Sequence, residues 1–339
     1  MAEKQGQALL QEIALPSIAG IRIGHAQDEK GASGCTVVIC EEGAVAALEV
    51  RGGGPASRES ELLHSSANTK RIHAVLLSGG SAFGLDAAGG VMRYLAERDI
   101  GYSTRITKVP LVCQSSLFDL GVGDLYSRPD ADMAYAACVD AEQNNPAVGC
   151  VGVGTGSSVG KLCGMARAMK SGVGMYALQL GELQVGALAV VNAVGDVFDP
   201  DTHIKLAGML DENGDGFADS EDELYRSYYA VSNMFLGANS SPEHENTTLV
   251  VVVCNAKLDR YELGKVASMA HNGLARCIHP VHTSADGDSI YALSTTKVAA
   301  GVDVVGTLAA RVTACAVRNA VLSAHSCYGL KAAADMADV

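Results

Sequence analysis

Gly237-Ala-Asn-Ser-Ser-Pro-Glu-His-Glu-Asn246 runs directly into Thr247-Thr-Leu-Val-Val-Val-Val-Cys254. The first half is polar and rich in turn residues, so it reads as a loop. The second is an unbroken apolar, β-branched run, the pattern of a strand buried on both faces. A cut between Asn246 and Thr247 would therefore leave Thr247 at the head of a buried strand. A threonine hydroxyl is a weak nucleophile near neutral pH and needs a base. The α-amine created by such a cut, with a pKa of roughly 7.7–8, is that base, acting directly or through one water. Taken alone, the junction also reads as an ordinary strand start, because β-branched residues favour strands.

Outward from this junction, helix and strand patterns alternate along the chain. Strands are expected at 36–40, 45–50, 73–77, 185–192, 249–254 and 289–294. Helices are expected at 82–97, 259–277 and 302–321, the second opened by a capping box of Asp259 and Glu262. The mixture predicts an α/β fold of layered sheets with helices outside. The 339 residues fit one large unit, with 48% apolar residues for its core. Thirty-eight glycines suit closely stacked layers. The polar segment 211–246 is the one clear break.

The net charge is −13, and residues 199–223 carry nine acids against Lys205 alone. An acidic chain without a basic patch excludes nucleic acid and anionic membrane as expected partners. The ten cysteines form no C-x-x-C pair and sit mostly in apolar runs, so they are expected to be reduced core residues. With no apolar signal core near the start and no uninterrupted apolar run of membrane length, the expected location is cytoplasmic.

Several motifs occur in a fixed order: Arg51-Gly-Gly-Gly-Pro-Ala-Ser-Arg-Glu59, Leu77-Ser-Gly-Gly-Ser-Ala-Phe-Gly-Leu-Asp86, Gly152-Val-Gly-Thr-Gly-Ser-Ser-Val-Gly-Lys161, Gly186-Ala-Leu-Ala-Val-Val-Asn192, Asn246-Thr-Thr248, and Pro280-Val-His-Thr-Ser-Ala-Asp286-Gly-Asp288. Over nearly the whole chain they resemble the L-aminopeptidase/D-esterases, β-peptidyl aminopeptidases and nylon-oligomer hydrolases, a family of N-terminal-nucleophile hydrolases. The resemblance implies a four-layer αββα sandwich and a single domain over 1–339. It also implies self-cleavage into 1–246 and 247–339, hydrolysis of a small peptide or amide by Thr247, no required cofactor, and a homo-oligomer, a tetramer.

The resemblance also gives the supporting residues their roles. Lys161 lies beside the nucleophile, where a cation favours the free-base form of the Thr247 amine; it also reads as a surface lysine after a turn. Asn192, inside an apolar run, supplies an oxyanion donor, or else a structural hydrogen bond at a strand end. Asp286 and Asp288 orient the nucleophile and relay its proton, and their Asp-Gly-Asp is equally a hairpin turn. Gly79, Gly80 and Ser81 form a backbone turn near the site, without the lysine or spacing of a phosphate loop. Asp211, Asn213 and Asp215, with Asp222 in the twelfth position, resemble an EF-hand loop, which makes structural Ca²⁺ an alternative to a solvated acidic loop. Two other functions fit parts of the pattern. One is an acyltransferase of the ornithine acetyltransferase type, and the other is an unprocessed, non-catalytic precursor. The Thr nucleophile and Asp-Gly-Asp favour the nylon-oligomer branch, and no acid precedes Asp119 in Val112-Cys-Gln-Ser-Ser-Leu-Phe118 to hold a substrate amine.

Overall fold

The computed structural model describes residues 9–64, 66–233 and 246–336. Ten strands form one extended sheet: β1 (Leu10–Ile13), β2 (Arg22–Asp28), β3 (Ser33–Val50), β4 (Ala56–Arg58), β5 (Arg71–Ser78), β6 (Val112–Ser116), β7 (Val173–Leu180), β8 (Leu183–Asn192), β9 (Thr247–Ala256) and β10 (Ser289–Val298). Their order is β1-β7-β8-β9-β10-β3-β5-β6-β4, with β2 also paired to β3. The helices are α1 (Ala88–Glu97), α2 (Ala131–Asp140), α3 (Ser220–Asn233), α4 (Arg260–Ala275) and α5 (Val302–Leu322).

The sheet folds over on itself through β3. Its first half pairs with β2 and β5 and its second half with β10, so one strand belongs to both layers. Strands expected separately at 36–40 and 45–50 are thus one strand. Its register shifts between Ile39 and Ala44, where Gly43 takes φ +75°. Three apolar cores separate four layers. One lies between the two sheet layers and holds Val38, Leu77, Val190 and Leu293. A second lies beneath α4 and α5. The third lies beneath α1 and α2. This is the expected αββα sandwich.

Strand β9 shows why its sequence is apolar throughout. Leu249, Val251 and Val253 face the inter-sheet core, while Val250, Val252 and Cys254 face the core under α4 and α5. With the side chains alternating, both faces need hydrocarbon. β9 pairs antiparallel with β8 and parallel with β10, so it is held on both sides.

Other expectations are refined. The helix expected from 82 begins as a 3₁₀ stretch, Ser81–Ala87, and becomes α-helical at Ala88. The capping box of Asp259 and Glu262 is formed, each side chain accepting the other's backbone N–H. The polar segment 211–246 is not all loop, because α3 occupies part of it. Glu221, Asp222 and Glu223 crowd its first turn, where negative charge favours the helix dipole. The remaining stretch 234–245 lies outside the described residues. Helix α5 is long and apolar enough to cross a membrane by length and composition, but 72% of its apolar window is buried in the fold. Seven of the ten free cysteines are buried as expected; Cys150 and Cys327 are half-buried and Cys163 is exposed.

Candidate active site

The strand register builds the site. Asn192, the last residue of β8, lies directly across from Thr247, the first of β9. A backbone bridge between Asn246 and Asp286 brings the 283–288 loop alongside. The segment ending at Lys161 lies against the residues just past β8, with Gly160 N–H donating to Gly195 O (3.1 Å) and Lys161 N–H to Val194 O (3.0 Å). Thr247, Lys161, Asn192, Asp286 and Asp288 therefore converge although they span more than a hundred residues, and all five are buried. Neither the cavity lined by Lys70 and Tyr261 nor the one lined by Arg276 and Arg311 includes Thr247.

The peptide between Asn246 and Thr247 is held by short contacts. The Thr247 hydroxyl lies 2.5 Å from the Asn246 carbonyl oxygen. Gly287 N–H donates to the same oxygen at 2.6 Å. An N–H aimed at a carbonyl oxygen stabilises the negative charge that oxygen gains when its carbon is attacked. Gly287 was legible in the sequence only as a spacer between two acids. A Cβ at 287 would sit 2.6 Å from the Thr247 hydroxyl and 2.8 Å from Gly54 O, so only glycine fits. The Arg51-Gly-Gly-Gly motif packs on this loop for a similar reason. A Cβ on Gly52 would lie 2.2 Å from Asp286 O, and Gly54 N–H donates to Asp286 O at 2.9 Å.

The Lys161 ammonium donates to Asn192 Oδ1 (2.8 Å) and Asn192 O (3.0 Å). Burial pulls its pKa down to about 7, against the opposing charges of Asp286 and Asp119. Lys161 is thus a buried amine poised to hold or release a proton near neutrality, not a surface lysine. Asn192 Oδ1 also accepts from Ser158 N–H, while Asn192 Nδ2 donates to Phe118 O at 2.8 Å. The amide is engaged on both sides, which answers the cost of burying it, and one Nδ2 proton remains beyond the Phe118 bond.

The two acids differ. Asp288 Oδ1 accepts Thr248 N–H (2.7 Å), and Oδ2 pairs with His282 Nδ1 (2.8 Å). Asp288 thus fixes the backbone immediately after Thr247. Asp286 Oδ2 accepts the Thr283 N–H and hydroxyl. Burial, and next the charge of Asp288, push the Asp286 carboxyl above the usual carboxylate range. His282 stacks edge-on against His271 with ring centroids 4.8 Å apart.

Gly79, Gly80 and Ser81 wrap a buried carboxylate that the sequence did not single out. Asp119 accepts Gly80 N–H (2.7 Å) and the Ser33 hydroxyl (2.8 Å), and burial lifts its pKa to about 6. The turn thus gives its Gly80 N–H to Asp119. Asp211 Oδ1 is turned onto the backbone N–H groups of Asn213 and Asp215, Asp215 faces Lys331 at 3.7 Å, and Asp222 lies on α3.

The model of peptidase family S58 matches residues 14–334. The chain belongs to peptidase family S58. An uncharacterised aminopeptidase of Mycobacterium tuberculosis is 39% identical, covering 95% of this chain and 97% of that protein. A 6-aminohexanoate-oligomer endohydrolase of a Kocuria species is 28% identical over 82% of this chain and 74% of its own length. Among solved structures, the L-aminopeptidase D-Ala-esterase/amidase of Ochrobactrum anthropi, described as a variant of the Ntn hydrolase fold, superposes with a TM-score of 0.66. It is 16% identical and covers 92% of this chain and 86% of that one. This S58 chain is therefore an amide-bond hydrolase with an Ntn hydrolase fold.

Proposed function

We propose that this S58 hydrolase activates itself by cutting the Asn246–Thr247 bond and then uses Thr247 as an N-terminal nucleophile. The observation that carries the proposal is the Asn246 carbonyl, clasped between the Thr247 hydroxyl and Gly287 N–H. In the cut, Thr247 Oγ1 bonds to the Asn246 carbonyl carbon as the C–N bond to Thr247 breaks. The hydroxyl proton ends on the freed amine. Water then opens the ester, leaving the Asn246 carboxylate and restoring the hydroxyl. Lys161, with its pKa near 7, carries the proton in the step that precedes any free α-amine. The pieces 1–246 and 247–339 stay together because β9 remains laddered to β8 and β10 to β3.

In the processed enzyme the Thr247 amine serves as base and Gly287 N–H is free to hold a substrate carbonyl, with Asn192 Nδ2 as second donor. Asp288, steadied by His282, orients the strand backbone beside the nucleophile. The same site would act on amides with free amino termini, as the aminopeptidase relatives' names suggest, or on ω-amino-acid oligomers. Ten free thiols suit a reducing compartment such as the cytoplasm, and we propose a homo-oligomer, of tetrameric form, as its assembly.

Incubation of purified protein with alanine p-nitroanilide and with 6-aminohexanoate oligomers tests the activity. Turnover is expected to appear in step with the Thr247 N-terminus, and equal turnover by full-length uncut chain would refute the mechanism. Added acceptor amines should not capture the acyl group; capture in preference to water would favour the acyltransferase reading instead. Gly287→Ala is expected to slow cleavage by at least about 100-fold, the scale of losing one oxyanion donor, because a Cβ 2.6 Å from the Thr247 hydroxyl and 2.8 Å from Gly54 O pushes both the hydroxyl and the residue 287 N–H away from the Asn246 carbonyl. Time-resolved denaturing electrophoresis measures it, and a normal cleavage rate would remove Gly287 from the account.

A further inference from the structure

Away from the active site, Cys150, His325 and Cys327 bring two sulfurs and an imidazole nitrogen within 4.8 Å of one another. Among the described residues this is the one cluster of three such side chains. The two Sγ atoms are 3.9 Å apart. That is far beyond the roughly 2.05 Å of a disulfide. It matches the edge of a tetrahedron, since zinc–sulfur bonds of about 2.3 Å put two thiolates about 3.8 Å apart. His325 is exposed and both cysteines are half-buried, so a cation can reach the site from solvent.

A hydrogen-bonded backbone floor adjoins the cluster. The buried Lys170 ammonium donates to Gly154 O (3.0 Å), Ser157 O (2.9 Å) and Ser171 O (2.6 Å). Lys170 N–H donates to Lys331 O, tying this floor to the C-terminal segment that carries His325 and Cys327. We propose that Cys150, His325 and Cys327 bind a thiophilic d¹⁰ cation, with zinc as its representative, leaving a fourth position open to water. Binding converts two thiols to thiolates, and both protons pass to solvent. Cys150 precedes residue 246 and the other two ligands follow it, so the cation staples the two pieces across the proposed cut. The staple rests on that cut, whereas the site itself does not. Ser157, under Lys170, adjoins Ser158, whose N–H holds Asn192 Oδ1, so an occupied site also braces the active-site wall.

Cobalt titration of untagged, freshly reduced protein, cleaved or not, tests this. Thiolate-to-cobalt charge transfer in the near ultraviolet is expected at one equivalent, with zinc displacing the cobalt. The Cys150→Ser/Cys327→Ser double variant should lose the band, and Cys163→Ser, at an exposed thiol outside the cluster, should keep it. His325→Ala should weaken binding more than about tenfold. Since His325 is exposed, that variant tests the site even where the double variant fails to fold. The proposal is overturned if no band appears, if the band survives the double variant, if His325→Ala leaves affinity unchanged, or if Cys150 and Cys327 are recovered as a disulfide in protein that binds no metal.

Discussion

Thr247→Ala is expected to yield one uncut chain of 339 residues with no measurable amide hydrolysis. The alanine removes the oxygen that attacks Asn246 and later the substrate, so both reactions stop together. The fold should survive. The side chain is buried at the strand head and gives up chiefly its hydroxyl contact to Asn246 O, on the order of 0.5–1.5 kcal/mol, while the β8 and β10 ladders remain. Thr247→Ser should still cut and still hydrolyse, because it retains the hydroxyl. Denaturing electrophoresis with an activity assay reads both variants. Normal cutting of Thr247→Ala would show that another group attacks the bond.

Lys161→Met should slow the self-cleavage by about 100-fold or more, the range attributed to a positioned acid–base group. Methionine keeps the apolar stem but removes the amine that bonds Asn192 Oδ1. The pH dependence sharpens the test. Because burial lowers the Lys161 pKa, the free base is scarce below about 7 and dominant above it. Cleavage of freshly made wild-type chain should therefore accelerate as pH rises through about 7 and then level off, and Lys161→Met should flatten that rise. The Thr247 α-amine does not exist before the cut, so it cannot supply this profile. In hydrolysis by the processed enzyme both amines contribute. A wild-type cleavage rate flat from pH 6 to 8 (on the order of one unit either side of 7) would assign the proton transfer elsewhere.

Much of the fold was legible in the chain. The run after Thr247 announced a strand buried on both faces, and it is the middle of the sheet. The Asp259–Glu262 capping box was readable because its signal is local. The β3 strand was less readable, since the register shift that carries it from one layer to the other depends on partners far away in sequence. α3 was hidden by its own acids, which read as a solvated loop and also favour a helix start.

The site divides in the same way. Thr247, Lys161, Asn192, Asp286 and Asp288 carried a chemical signal in their residue types and motifs. Gly287 carried none, because its contribution is a backbone N–H and the absence of a side chain. Asp119 and His282 were passed over because each acts through a partner, the Gly80 turn and Asp288, that only the folded chain supplies.

The intact mass of the purified protein under denaturing conditions tests the central claim most directly. Two species are expected, residues 1–246 and a second whose first residue is Thr247. A single species at 34.9 kDa, in a preparation that hydrolyses amides at full rate, would contradict it.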